Sequence, residues 1–164
     1  MRELNRDDLL NILYGAAILG TGGGGSLTEG IKLIDEALAA GKRFRLADFD
    51  EMGPEDLVGT PYGCGAISPL TEEEKKKYAR LPEAKENFYI LCMKQMEEYL
   101  GKELKAVIST ELGGHNTATA LYCGAMSDKI IADGDPAGRS VPALQHSTYF
   151  LNDIPMCPIS VMNK

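Results

Sequence analysis

Apolar positions along the first forty residues recur at helical spacing. Leu9, Ile12, Leu13, Ala16 and Ala17 predict a helix over residues 7–19, with Asp7 and Asp8 at its start, where carboxylates suit the helix dipole. Ile31, Leu33, Ile34, Ala37 and Leu38 predict a second helix that opens at Ser26 or Thr28 and stops at Gly41. The pattern then shortens. Residues 44–49, 57–62, 105–110 and 129–132 read as strands, the third around a buried Ala-Val-Ile. Between them lie a charged helix over 72–81, a longer helix from about 82 to 100 and a small-residue helix over 117–125. The longer helix places Phe88, Leu91, Cys92, Met96 and Leu100 on one face. A last helix containing Leu144, His146 and Phe150, and a short strand over 157–162, complete the chain, with His146 expected to pack.

Strands alternating with helices predict an α/β fold: a three-layer α/β/α arrangement with a mainly parallel sheet of about 4–6 strands. At 164 residues and 44% hydrophobic, the chain is long enough for a single domain, 1–164, with a real core.

The loop between the first two helices stands apart. Gly22, Gly23, Gly24 and Gly25 follow one another directly before Ser26. Glycine admits positive φ and close approach of a ligand or a second backbone, at a high cost in chain entropy. Its free N–H groups ahead of a helix start suit an anion; a flexible turn between helices is the ordinary alternative. Gly20, Gly22 and Gly25 also spell G-x-G-x-x-G. A dinucleotide-binding loop follows a strand, whereas this one follows a helix, so that reading is rejected. No Gly-Lys-Ser/Thr follows, which excludes a P-loop.

The net charge of −7 argues against nucleic acid and anionic membrane surfaces as partners. No apolar run approaches the ~20 residues of a membrane span, and charged residues precede the first apolar segment, unlike a signal peptide. The expected location is the cytoplasm. Cys64, Cys92, Cys123 and Cys157 form no C-x-x-C pair, so they are expected to be reduced thiols, all but Cys64 in the core.

Three polar, glycine-bearing segments each follow a predicted strand: 63–66, 111–116 and 133–139. Ligand crevices in open α/β sheets lie outside the carboxyl ends of the strands, so these segments are expected to gather at one edge, with residues 22–25 closing over them. Glu111, Asp133 and Asp135 are the carboxylates there. Converging, they suit a hard cation such as Mg²⁺ or Mn²⁺; alternatively one acts as a general base towards water, or each merely caps the helix after it. Arg139 suits a bidentate clamp on a carboxylate or carbonyl, or an ordinary surface ion pair. His115 reads as a solvent-facing loop histidine. Cys64, between Gly63 and Gly65, is a candidate nucleophile whose activating base the sequence does not reveal.

Read together, the segments 18–25, 111–116, 133–139 and 142–145 resemble the N-terminal domain of the S-methyl thiohydantoin desulfurase family, which accompanies hydantoinase/oxoprolinase-type proteins. The resemblance covers about residues 9–158. It implies a hydrolase of cyclic ureides, in which water attacks the ring carbon bearing a methylthio group and methanethiol leaves. Glu111 or Asp133 would then be the base, with Asp135 and Cys64 also candidates. Gly22–Gly25, Gly113, Gly114, Asn116 and Arg139 would hold the ring, a small-molecule cyclic amide. No cofactor is specified beyond the open divalent-metal alternative. Pro136-Ala137 replaces a usual methionine, Cys64-Gly65-Ala66 a Met-Gly-Pro-like segment, and Val141-Pro142-Ala143-Leu144-Gln145 a Phe-Pro-Glu-Leu-Gln-like run. Members of the family continue into a mostly β domain, so the chain reads as a truncated member, a split subunit or one domain, inactive alone if that domain covers the crevice. The alternative reading is a non-catalytic binding or assembly subunit, partnered by a hydantoinase-type protein or a second copy.

Overall fold

The computed structural model describes residues 1–65, 69–81 and 85–162. Strand β1 (Arg2–Leu4) leads into α1 (Arg6–Gly20) and α2 (Leu27–Ala39), then β2 (Phe44–Ala47), a 3-10 turn (Phe49–Glu51) and β3 (Val58–Gly59). Helices α3 (Glu72–Tyr78) and α4 (Phe88–Leu100) follow, then β4 (Ala106–Ile108), α5 (Asn116–Met126), β5 (Ile130–Ala132) and α6 (Thr148–Leu151). The five strands lie in the order β1-β2-β5-β4-β3; β1 runs antiparallel to β2 and every other pairing is parallel.

Local chemistry sets the helix ends. Asn5 accepts the Asp8 amide at 3.0 Å while Asp8 accepts the Asn5 amide, a reciprocal cap that opens α1. Ser26 accepts the Glu29 amide and opens α2, as the sequence implied. The fourth helix departs from expectation: its residues 82–84 lie outside the described residues, and it starts at Phe88, where Asn87 accepts the Tyr89 amide at 3.0 Å. The final helix is shorter than expected, with His146 before it and exposed, and residues 157–162 carry no strand. Strand β1 went unforeseen, because three residues with one buried apolar side chain, Leu4, carry no period.

Leu46, Ile131 and Val107 are in register across β2, β5 and β4 and present one apolar face. Helix α5 lies on it, and residues 116–125 are all buried. A Cβ added to Gly124 would stand 2.6 Å from Ile131 Cγ1 and 3.0 Å from Val107 Cγ2, so this glycine is what lets helix and sheet approach. Helices α1, α2 and α4 pack against α5 in turn. On the opposite face Ala106, Ile108 and Ala132 form a smaller cluster with Met52, Val58 and Ile130. The result is the expected α/β fold, consistent with three layers though the layers are unequal.

A sheltered ion pair ties α4 to the sheet. Lys129 Nζ lies 2.6 Å from Glu97 Oε1 and donates to the Leu104 carbonyl at 2.9 Å, while Glu97 Oε1 also accepts the Leu104 amide at 2.7 Å. Losing the ammonium strands a half-buried carboxylate, so Lys129→Met is expected to cost about 2 kcal/mol of stability. Urea denaturation checks this; a midpoint that falls with an unchanged slope is the expected result.

Candidate active site

The parallel register puts the carboxyl ends of β2, β3, β4 and β5 along one edge, and the loops beyond them meet there. The Gly63 amide donates to Asn116 Oδ1 at 3.0 Å, joining the loop after β3 to the start of α5. The glycine loop closes on the same place. Gly24 accepts the His115 and Asn116 amides at 3.0 and 2.9 Å, so its carbonyl covers the N-terminus of α5. What the loop offers that helix is an acceptor, the Gly24 carbonyl. Added Cβ atoms explain the composition: from Gly24 one would lie 2.5 Å from Gly113 Cα, from Gly25 2.6 Å from His115 Cβ, and from Gly114 2.5 Å from the Leu27 nitrogen. Two backbones pass each other with no room for side chains.

Beside this junction runs a cavity of about 790 Å³, bounded by Leu57–Gly65, the inner face of α4, Thr110–Glu111 and residues 156–162. Ser160 Oγ donates to Gln95 Oε1 at 2.6 Å and fastens the C-terminal segment to α4. Of the residues singled out by sequence, Glu111 and Cys64 line the cavity. Glu111 is the only charged residue in its described lining. Its backbone is left-handed, with φ +54°, a conformation that side-chain-bearing residues rarely adopt and that clusters at functional sites. Burial, and then the nearby Asp135, push the Glu111 carboxyl up, against the Val141 amide that stabilises its charge. Cys64 is exposed at the cavity wall.

The remaining candidates stand elsewhere. Asp135 Oδ1 accepts the Ala137 amide at 2.7 Å and also the Gly138 amide, while Oδ2 is buried without a partner among the described residues. Burial pushes this carboxyl up as well. Asp133 is exposed, its amide bonded to the Ala47 carbonyl at 2.8 Å, and caps no helix. Asn116 is buried and occupied by Gly63. Arg139 is exposed, with Nε on the Ser140 carbonyl at 3.3 Å. Gly22, Gly23, Gly24, Gly25, Gly113 and Gly114 lie outside the cavity lining; Gly24, Gly25, Gly113 and Gly114 form the close junction, Gly23 lies against the Ser140 side chain and Gly22 has open space around it. His115 is half-buried rather than solvent-facing, its Nδ1 3.3 Å from Thr119 Oγ1, and burial holds its pKa down. Among the described residues no three of His, Cys, Asp and Glu are placed to hold a metal ion.

The model of the family described as "S-Me-THD-like, N-terminal domain" matches residues 7–164. The chain belongs to this family. The S-Me-THD-like fold also matches a solved structure of a protein from Chromobacterium violaceum at 25% identity and a TM-score of 0.65, covering 96% of this chain and 41% of that one. The chain thus spans less than half the length of that relative. No curated protein matches. Among the described residues no helix of the S-Me-THD-like domain is long and apolar enough to cross a membrane.

Sequence periodicity placed Phe88, Leu91, Cys92, Met96 and Leu100 of the S-Me-THD-like domain on one face of a helix, with Cys92 expected in the core. The buried residues of α4 are Tyr89 and Met93, and Phe88, Cys92, Met96 and Leu100 line the cavity together with them. Cys157, expected in the core, is exposed, and Cys123 is buried. Tyr62 and Tyr149 also line the cavity, though neither was among the candidate site residues.

The carboxyls of Glu111 and Asp135 imply a pH dependence. The folded chain keeps their protons to higher pH than the unfolded chain does, so stability falls as pH rises above about 4, the ordinary carboxyl pKa, through the raised values. Asp135→Asn keeps an oxygen for the two loop amides and removes the titration. Its melting temperature is expected to decline less than the parent's between about pH 4 and pH 8; parallel curves would remove Asp135 as a contributor.

Proposed function

We propose that the cavity binds a cyclic ureide and that Glu111 is the base for hydrolytic removal of its methylthio group. The observation that carries this reading is the half-buried Glu111 carboxylate, held in a left-handed backbone beyond the end of β4 and the only charged group in the described cavity lining. A base in such surroundings holds its proton at a higher pH than a solvated glutamate and is suited to deprotonating water near neutrality. Water oxygen bonds to the ring carbon that bears sulfur, and Glu111 takes a proton. The C–S bond breaks as the carbonyl forms. One water proton ends on the ring nitrogen and the other on the departing methanethiolate, yielding the oxo ring and methanethiol. Thr110, Tyr62 and Tyr149 supply hydroxyls along the cavity to hold the ring's polar atoms.

The test is direct: S-methyl thiohydantoins are mixed with the protein and free thiol is followed with a chromogenic disulfide. Saturable release, with the oxo ring identified by mass, is the expected outcome; no release above buffer overturns the catalytic reading for the chain alone. A second reading, a binding or assembly role, has its own observation. Phe150, Leu151, Ile154 and Val161 are 54, 78, 50 and 78% exposed near the cavity, an apolar surface suited to a protein partner. Ligand binding without thiol release would favour it.

A further inference from the structure

We infer that helix α3, with the residues on either side of it, is where two copies of this chain meet, paired antiparallel about a two-fold axis. The first argument is that α3 buries nothing. Every residue from Pro69 to Leu81 is exposed, whereas each of the longer helices α1, α2, α4 and α5 turns a buried face to its neighbours. A helix of seven residues is far below the length that is stable alone in water. Its internal support is small. Thr71 and Glu74 form a reciprocal cap at its start, and Lys75 Nζ lies 2.7 Å from Glu72 Oε1. An apolar residue entering a helix, such as Leu70, ordinarily packs on an apolar residue of the first turn. Here that position is Lys75, and Leu70 stays 50% exposed. Leu81 is 54% exposed at the other end.

The second argument is the order of residues. Backbone bonds from the amides of Lys75, Ala79 and Leu81 carry the winding from Thr71 to Leu81. Leu70, Glu74, Lys77 and Leu81 recur at spacings of four, three and four, which is one stripe along a helix. The stripe is its own complement. Leu70 and Leu81 are equidistant from the midpoint between Lys75 and Lys76, and so are Glu74 and Lys77. A two-fold axis through that midpoint sets Glu74 of each copy against Lys77 of the other and Leu70 against Leu81, the isologous arrangement of a cyclic dimer. Both charges are available. The Thr71 amide and hydroxyl occupy Glu74 Oε2 and hold this carboxyl below its usual range, so it is ionised. Lys77 makes no ion pair among the described residues; its Nζ lies 5.9 Å from the Tyr78 ring centroid. Lys75 and Lys76 occupy the opposite side of the helix, away from the seam. The contact is small, so the dimer is a weak one.

Sedimentation equilibrium over about 0.01 to 1 mM protein, the range of small, transient interfaces, tests this. The parent's average mass is expected to climb from 17.8 kDa towards twice that value. Lys77→Glu and Leu81→Ser are each expected to raise the dimer dissociation constant about tenfold or more, because the two-fold axis makes every substitution count twice. Lys32→Glu, in an exposed pair of α2, makes the same change in net charge and is expected to leave that constant within about twofold. A mixture of the Lys77→Glu and Glu74→Lys chains is expected to regain the parent's association, since the mixed pair restores both contacts while neither chain pairs with itself. Circular dichroism and melting temperature confirm that each variant folds; if Glu74→Lys loses the α3 cap, the Lys77→Glu and Leu81→Ser results decide alone. A parent that stays at 17.8 kDa throughout overturns the inference. So does a dimer that Lys77→Glu and Lys32→Glu weaken alike. A dimer that neither Lys77→Glu nor Leu81→Ser weakens overturns it too, and moves the contact to another face such as the apolar surface at Phe150 and Leu151.

Discussion

Glu111→Gln is expected to lower turnover of an S-methyl thiohydantoin by about two to four orders of magnitude, the usual contribution of a positioned general base, with little change in melting temperature. The amide keeps the shape and the hydrogen-bonding oxygen of the side chain while removing its ability to accept a proton. Stability is spared because Glu111 caps no helix and makes no ion pair among the described residues. A second substitution separates function from structure. Glu111→Gly removes the side chain from a left-handed position and is expected to stabilise the fold by about 1 kcal/mol while abolishing turnover. Strain retained at the cost of stability is what a functional position predicts. Full activity in the glutamine variant removes Glu111 as the base. A fall of many degrees in its melting temperature makes it a structural residue instead.

Gly114→Ala is expected to destabilise the domain by about 3 kcal/mol or more, and thermal unfolding measures it directly. The new Cβ would lie 2.5 Å from the Leu27 nitrogen and 2.7 Å from Leu27 Cβ. Neither α2 nor α5 can retreat, because the Gly24 carbonyl holds the first amides of α5 and Gly30 already lies against Gly114. An overpacked contact between two backbones has no side chain that can move aside. Two other glycines calibrate the result. Gly22 has open space around it but φ +94°, so Gly22→Ala costs only the left-handed strain of about 1 kcal/mol. Gly15 lies within α1 with nothing near its missing Cβ, so Gly15→Ala is expected to gain up to about 1 kcal/mol from helix propensity. Equal costs at Gly114 and Gly22 would mean the loop's glycines serve backbone freedom alone and the close contact is not rigid.

These glycines show where reading the chain succeeded and where it ran out. The order of helices and strands was legible because the apolar period changes from the 3.6 of residues 9–17 and 31–38 to the short runs of 44–47 and 106–108. The gathering of the loops after β3, β4 and β5 at one edge followed from parallel pairing, and the glycine run's closure over it was anticipated. Its purpose was not: a missing Cβ admits a ligand or a neighbouring backbone equally, and only the position of Gly113 and Gly114 decides for the backbone.

Residue types likewise named more candidates than the fold uses in one place. Glu111, Asp133 and Asp135 look alike as carboxylates at strand ends. The direction each points depends on its φ and on its loop, and these leave Glu111 on the cavity, fold Asp135 back onto its own turn and leave Asp133 in solvent. The α4 wall was hidden for a related reason. An apolar stripe at helical spacing reports what leaves water, whether against the core or against a cavity, so the shared face of Phe88, Met96 and Leu100 was legible and what it meets was not. The sequence by itself determined the elements, their order and the edge at which chemistry collects, because these depend on local periodicity and on parallel pairing. Tertiary structure alone decided which carboxylate faces the cavity, what its far wall is made of and what the glycines approach, because those depend on contacts between residues far apart in the chain.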